Sequence, residues 1–147
     1  QLLALFIAPA LTIGLLSLNG LNSPLEAAFP FGINPSEISE LAYANGVSEI
    51  YASDCPISYM LSFYAGRRVG FVGTGGAIES LLSETRKGKI LIVFSRNPPP
   101  PALEGFSGKG PELERDFLRI AAEKGVSYDK FSGLSGQNAA DYFIVGR

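Results

Sequence analysis

The first 25 residues carry no ionisable side chain, whereas the 12 basic and 14 acidic residues of the chain all lie from Glu26 onward. Residues 2–21 (LLALFIAPALTIGLLSLNGL) form a continuous apolar run in which only Thr12, Ser17 and Asn19 are clearly polar. A helix of this length extends about 30 Å, the hydrocarbon thickness of a bilayer. We therefore expect residues 1–21 to form a transmembrane helix.

Two other interpretations of the apolar run remain open, a buried core helix and the remnant of a signal peptide. A signal peptide begins with Met and a basic region, and Gln1 supplies neither. The missing Met favours a longer parent protein in which this helix is the last span. The first basic residue after the run is Arg67. Because cytoplasmic flanks are rich in Lys and Arg, we expect the following domain to be extracytoplasmic, on the periplasmic side of the cell membrane.

Residues 22–33 have the proline and glycine content of a connector, and residues 34–147 then alternate between helical and strand patterns. Asn34, Pro35 and Glu37 combine an N-cap, a first-turn proline and a capping-box acid, which is a strong helix start. The predicted elements are a helix over 34–45, a strand over 48–53, a helix over 54–65, a strand over 68–72, a helix over 75–87, a strand over 89–95, a helix over 111–124, and strands over 126–131 and 141–145.

Strands that alternate with helices predict an α/β domain. The specific expectation is a Rossmann-like open sheet of about five mostly parallel strands with helices on both faces. The run Ile90–Phe94 is apolar throughout, which is typical of a strand buried on both faces and places it at the sheet centre. The last strand could pair antiparallel at an edge.

Several classes of function lose support from composition alone. The chain contains no histidine, the commonest general base and metal ligand, and Cys55 is its only cysteine. We therefore expect no catalytic residue and no metal site in this chain, and we expect Cys55 to be a small buried hydrophobe. The net charge of −2, without a basic run longer than two residues, argues against a nucleic-acid partner.

The turn Gly73–Gly76 follows a strand and opens a helix, as dinucleotide-binding turns do. A G-x-G-x-x-G pattern from Gly73 would place its third glycine at Ile78, so the spacing fails. Tyr59 and Phe63 are four residues apart on one predicted helix, which we interpret as core packing. The proline run 98–101 predicts a polyproline loop.

Arg67 and Arg68 are the candidate ligand-binding residues. Either guanidinium could hold a phosphate or a carboxylate. The alternative is that they stabilise the dipole of the helix that ends at Gly66.

The stretch Ile50–Val69 (IYASDCPISYMLSFYAGRRV) ends in an S-F-Y-x-G-R-x-V pattern over Ser62–Val69. It resembles the extracytoplasmic C-terminal domain of polyprenyl-phosphate-dependent membrane glycosyltransferases of the aminoarabinose-transferase and protein-O-mannosyltransferase type. In that family the domain follows the last transmembrane helix, which is the order of elements here.

The resemblance implies transfer of a sugar from a polyprenyl-phosphate donor to a lipid or protein acceptor, assisted by a divalent metal. The acidic catalytic residues and the metal belong to an upstream region, so no catalytic residue and no cofactor is carried over to this chain. Its partners would be membrane lipid and the lipid-linked sugar, reached through the membrane part. The chain would then be an accessory domain of the enzyme. Two alternatives remain, a membrane-tethered binding module that uses the 98–101 loop and a soluble Rossmann-like nucleotide-binding domain.

Overall fold

The computed structural model describes residues 33, 35–84, 88–96, 109–132 and 140–146. The chain divides into two units, residues 1–30 and 31–147, and every described residue belongs to the second. The predicted transmembrane segment, the N-cap Asn34 and the proline run 98–101 lie outside the described residues. Within the described ranges, no helix is both long and apolar enough to cross a membrane.

The described domain is α/β, with four helices and a mixed five-stranded sheet. In chain order, the elements are α1 (Pro35–Ala44), β1 (Val47–Ala52), α2 (Cys55–Ala65), β2 (Val69–Phe71), α3 (Gly75–Ser83), β3 (Lys89–Ser95), α4 (Gly110–Lys124), β4 (Tyr128–Ser132) and β5 (Ala140–Val145).

Local chemistry explains where the helices begin and end. Gly66 and Gly125 follow α2 and α4 with φ of 60° and 64°, the left-handed conformation that glycine adopts without steric cost. Thr74 caps α3, because its Oγ1 accepts the backbone N–H of Ala77 at 3.2 Å. The predicted extension of α3 to residue 87 was too long, since Glu84 is already extended and ends the helix at Ser83.

The strand order is β2-β1-β3-β5-β4, so β3 is central as predicted. Strand β1 pairs in parallel with β2 and β3, whereas β5 pairs antiparallel with both β3 and β4. The prediction that the last strand would lie at an edge was wrong, because β5 is inserted between β3 and β4. All six residues of β5 are buried, whereas β4 is mostly exposed. The more apolar strand therefore takes the inner position, and the charged one forms the edge.

The two faces of the sheet are covered by different helix pairs. Side chains alternate along β3, so Ile90, Ile92 and Phe94 join the core cluster that contains α3 and α4. Leu91 and Val93 are fully buried on the opposite face, which α1 and α2 cover. The predicted burial of 90–93 is thus confirmed, with exposures of 0–4 %.

Candidate functional site

Arg67, the first of the two predicted ligand-binding residues, forms hydrogen bonds within the fold. Its Nη1 donates to the backbone carbonyl of Val47 at 2.9 Å and to that of Ser48 at 3.3 Å. These carbonyls belong to the start of β1, whereas Arg67 follows the end of α2. The guanidinium therefore joins the two elements, and the Nη1 group that makes these hydrogen bonds is not available to a ligand.

Arg68 has a different environment. Its side chain is exposed and lines a shallow groove with Glu49, Tyr51 and Gly70. Among the described residues, Arg68 has no hydrogen-bond or salt-bridge partner. The Tyr51 hydroxyl donates to Oε2 of Glu49 at 2.7 Å, which keeps a carboxylate in the groove. An anion bound by Arg68 would therefore lie near a fixed negative charge.

The structure does not bring the two arginines together in one site. Arg67 lines a separate cavity between α1 and α2, with Tyr43 and Tyr64 on its rim. The two side chains line different cavities, so the structure offers no single cavity in which both would bind a ligand. Of the two, Arg68 is the one whose guanidinium makes no hydrogen bond or salt bridge to the described residues, whereas Arg67 donates from Nη1 to β1.

The glycine turn before α3 faces a carboxylate. A Cβ atom placed on Gly75 would lie 2.7 Å from Oδ2 of Asp116, so the Asp116 side chain packs directly against the turn. A cavity lies between this turn and the start of α4, and Glu112 and Lys109 also line it. A phosphate at the α3 N-terminus would have to displace or neutralise that carboxylate. The geometry thus agrees with the failed glycine spacing.

A cluster of buried polar side chains lies at the carboxyl ends of β1 and β3. Ser53, Asp54 and Ser95 are all at most 3 % exposed. The backbone N–H of Ser95 donates to Oγ of Ser53 at 3.1 Å, which joins the two strand ends. The strand order reverses between β1 and β3, and in open α/β sheets ligands bind at this position. A Cβ on Gly110 would collide with the backbone of Ser95, so the start of α4 closes one side of the cluster.

Asp54 is the most unusual member of this cluster. Its side chain is 1 % exposed, and within the described part of the chain Oδ1 has no hydrogen-bond partner. Burial raises the pKa of this carboxyl group above its usual value, because the charged form loses its hydration. The backbone N–H of Ile57 lies close enough to offset part of the rise but forms no capping hydrogen bond.

A second buried carboxylate, Asp141, is fully paired. Nε and Nη2 of Arg96 donate to its two oxygens at 2.6 Å each, and the Ser132 hydroxyl donates at 2.9 Å. Burial works to raise the pKa of Asp141, but the hydrogen bonds from Arg96 and Ser132 outweigh it and hold that pKa below its usual range. Lys130 lies 3.6 Å from the same carboxylate. Asp141 therefore fastens the start of β5 to its neighbours.

Two side-chain predictions from the sequence were wrong. Tyr59 and Phe63 were expected in the core, yet they are 74 % and 77 % exposed. Helical spacing places both on one side of α2, but the sheet covers the other side, where Ile57 and Leu61 are buried. Cys55 was expected to be buried and is only half-buried, because it lies in the first turn of α2.

The buried polar groups were only partly visible in the sequence. Asp54 lies two residues after the end of β1, Arg96 follows β3 directly, and Asp141 lies within the buried run of β5. A polar residue at the end of an apolar strand indicates a candidate site residue. It does not show which strand ends lie next to each other in the sheet. Among the described residues no group of three His, Cys, Asp or Glu side chains could hold a metal ion.

Comparisons with protein-family models, with curated proteins and with solved structures find no match to this chain. The resemblance to membrane glycosyltransferases therefore stays a prediction from the sequence.

Proposed function

We propose that the chain is the extracytoplasmic accessory domain of an integral membrane glycosyltransferase that uses a polyprenyl-phosphate sugar. In this proposal residues 1–21 are the last transmembrane helix, residues 22–33 are the connector, and the α/β domain lies on the periplasmic side of the cell membrane. The parallel β2-β1-β3 half of the sheet supports the finer assignment to a Rossmann-like fold.

The observation that carries the proposal is how the S-F-Y-x-G-R-x-V pattern is used at the junction of α2 and β2. Ser62 Oγ accepts the backbone N–H of Val69 at 2.9 Å and donates to the carbonyl of Ser58 at 2.7 Å. Gly66 supplies the left-handed turn, and Arg67 binds the start of β1. Ser62, Gly66 and Arg67 of the pattern therefore each have a structural role at this junction, and this use of the pattern is what supports the proposal.

The chemistry of transfer would take place outside this domain. A divalent metal and an acidic base, as the resemblance implies, would be supplied by the upstream membrane part, together with the contacts to lipid and lipid-linked sugar. The domain itself would contribute contacts to the substrate. Arg68 is the residue best suited to this role, since its guanidinium is exposed and has no partner among the described residues.

The upstream sequence of the parent gene tests the proposal most directly. We expect a cluster of hydrophobic spans before residue 1, and their absence would end the proposal. A parent protein whose single span is residues 1–21 would instead favour a membrane-tethered binding module.

Substitution of the two arginines in the full-length enzyme tests the role of Arg68. A charge-assisted hydrogen bond to a lipid phosphate contributes roughly 1.5–3 kcal/mol, so Arg68→Ala should weaken donor use about ten- to a hundred-fold. Arg68→Lys should restore part of it. Arg67→Ala is the matched control, and we expect it to lower stability without a specific effect on the donor concentration dependence. Wild-type transfer by Arg68→Ala would remove Arg68 from the proposal.

A membrane-tethered binding module is the second candidate, and the exposed rings of Tyr59 and Phe63 favour it. A soluble nucleotide-binding domain is disfavoured by Asp116 at the glycine turn. Nucleotide binding by the chain, measured by isothermal titration, would reverse that judgement.

A further inference from the structure

Helix α2 has an unusual outer surface. From Cys55 to Gly66 it contains no charged residue, and its outward side exposes the rings of Tyr59 and Phe63. Tyr64 packs edge-on against Phe63, with ring centroids 5.6 Å apart. Tyr64 also lines the cavity between α1 and α2, whose other wall includes Tyr43, a side chain that is 90 % exposed. We call these four side chains the aromatic face.

The other side of the domain shows what a water-facing helix of this chain looks like. Helix α4 carries seven charged side chains among its 15 residues, and its buried residues form one stripe toward the sheet. Helix α2 buries Ile57 and Leu61 on its inner side and is apolar or uncharged on its outer side as well. A helix that is hydrophobic all round is typical of an apolar environment on both sides. The aromatic face therefore has the composition of a surface that contacts something other than water.

We propose that the aromatic face lies in the headgroup region of a phospholipid bilayer. This inference rests on the proposed function, which tethers the domain to a membrane through residues 1–21. Tyrosine and other aromatic rings concentrate at membrane–water interfaces, where a ring contacts the acyl boundary and a hydroxyl remains hydrated.

The chain between the apolar run and α1 is short, so even a weak contact of the aromatic face with the bilayer would be populated. Residues 22–33 can span at most about 43 Å, which is somewhat more than the diameter of a domain of this size. Helix α1 is the first element after this connector, and α2 packs against it. A tether of this length keeps the aromatic face at a high effective concentration near the bilayer.

The charges near the aromatic face decide which lipid it fits. Glu40 of α1 is exposed beside the cavity, and Arg67 is engaged with backbone carbonyls of β1. The face therefore offers no basic cluster to anionic headgroups. Zwitterionic phosphatidylcholine should be sufficient, and the contact should depend little on salt concentration.

The absence of tryptophan from the chain allows a direct test. Phe63→Trp and Tyr59→Trp each introduce a single reporter into the aromatic face, and Arg115→Trp introduces one on the exposed side of α4 as a matched control. The full chain is reconstituted into phosphatidylcholine vesicles with lipids brominated on the acyl chain. Flotation with the vesicles then checks anchoring separately from the position of the aromatic face.

For an interfacial ring we expect bromolipid to lower the Phe63→Trp and Tyr59→Trp emission roughly two-fold, in low and in high salt, and to leave the Arg115→Trp emission unchanged. Vesicle-bound chains whose three reporters are equally unquenched would overturn this inference and leave the proposed function standing. So would a Phe63→Trp emission that shifts to the blue only as the protein-to-lipid ratio rises, since that identifies a second copy as the partner. Failure of all variants to float with vesicles would contradict the proposed function itself.

Discussion

Asp54→Asn should make the domain more stable at neutral pH. The substitution keeps the size of the side chain and a good N-cap residue for α2, and it removes a charge that is 1 % exposed and has one oxygen without a partner among the described residues. A buried group without a hydrogen bond costs roughly 1–3 kcal/mol and more when it is charged, and the amide of Asp54→Asn keeps only the smaller, neutral part of that cost. The nearby N–H of Ile57 offsets part of that cost. We therefore expect a gain of about 1–2 kcal/mol in the free energy of unfolding.

The pH dependence identifies the cause of this gain. The pKa of Asp54 is raised in the folded state above its usual 3.8, so the folded protein binds this proton more tightly than the unfolded chain does. The cost of the charge is absent below about pH 3.8 and grows as the pH rises through the folded-state pKa. The advantage of Asp54→Asn should therefore be largest near neutrality and should shrink as the pH falls toward 4.

Urea unfolding of the full chain in detergent micelles, followed by far-ultraviolet circular dichroism at several pH values, measures this difference. Asp129→Asn on β4 is the matched control, because its carboxylate is exposed and should change stability by less than about 0.5 kcal/mol. A loss of stability in Asp54→Asn at neutral pH, or a gain that does not change with pH, would refute the reasoning.

Four further predictions use the same unfolding measurement. Ile92→Asp should prevent folding, because it places an unpaired charge at a position that is 0 % exposed; a cooperative unfolding transition would contradict this. Arg96→Ala should cost about 2–3 kcal/mol, less than a fully buried pair, because Arg96 is 37 % exposed. That cost should fade as the pH drops below about 3.8, because the pKa of Asp141 is lowered by folding and its stabilising contribution is lost once it protonates. Arg67→Ala should cost about 1 kcal/mol through its lost hydrogen bonds, and an unchanged midpoint would show that they contribute nothing. Phe63→Ser should change stability by less than about 0.5 kcal/mol, since the ring is 77 % exposed.

Much of the secondary structure followed from local signals. The glycines after α2 and α4 ended those helices where the sequence predicted, because the left-handed residue that closes a helix is a local requirement. The apolar run of β3 was correctly placed at the sheet centre, since a strand without polar alternation needs cover on both faces. These features depend on residues close together in the chain.

The candidate site depended on contacts that are distant in sequence. The ion pair of Arg96 with Asp141 joins residues 45 positions apart, and it exists because β5 inserts beside β3. The different environments of Arg67 and Arg68 likewise follow from where β1 begins relative to the end of α2. The residue types identified the candidate ligand-binding and buried polar residues. The pairing of strands decided which of these residues form hydrogen bonds within the fold.

The sequence by itself determined that the described part of the chain is an α/β domain with a buried central strand, whereas the transmembrane helix and the connector before it stay predictions. Only the tertiary structure decided the direction and position of β5 and the exposure of Tyr59 and Phe63. It also decided that Asp54 is buried with one oxygen that has no hydrogen-bond partner among the described residues. Helical spacing shows that two side chains share one side of a helix. Whether that side is covered depends on which elements pack against it, and this is a property of the assembled sheet and helices rather than of any local pattern.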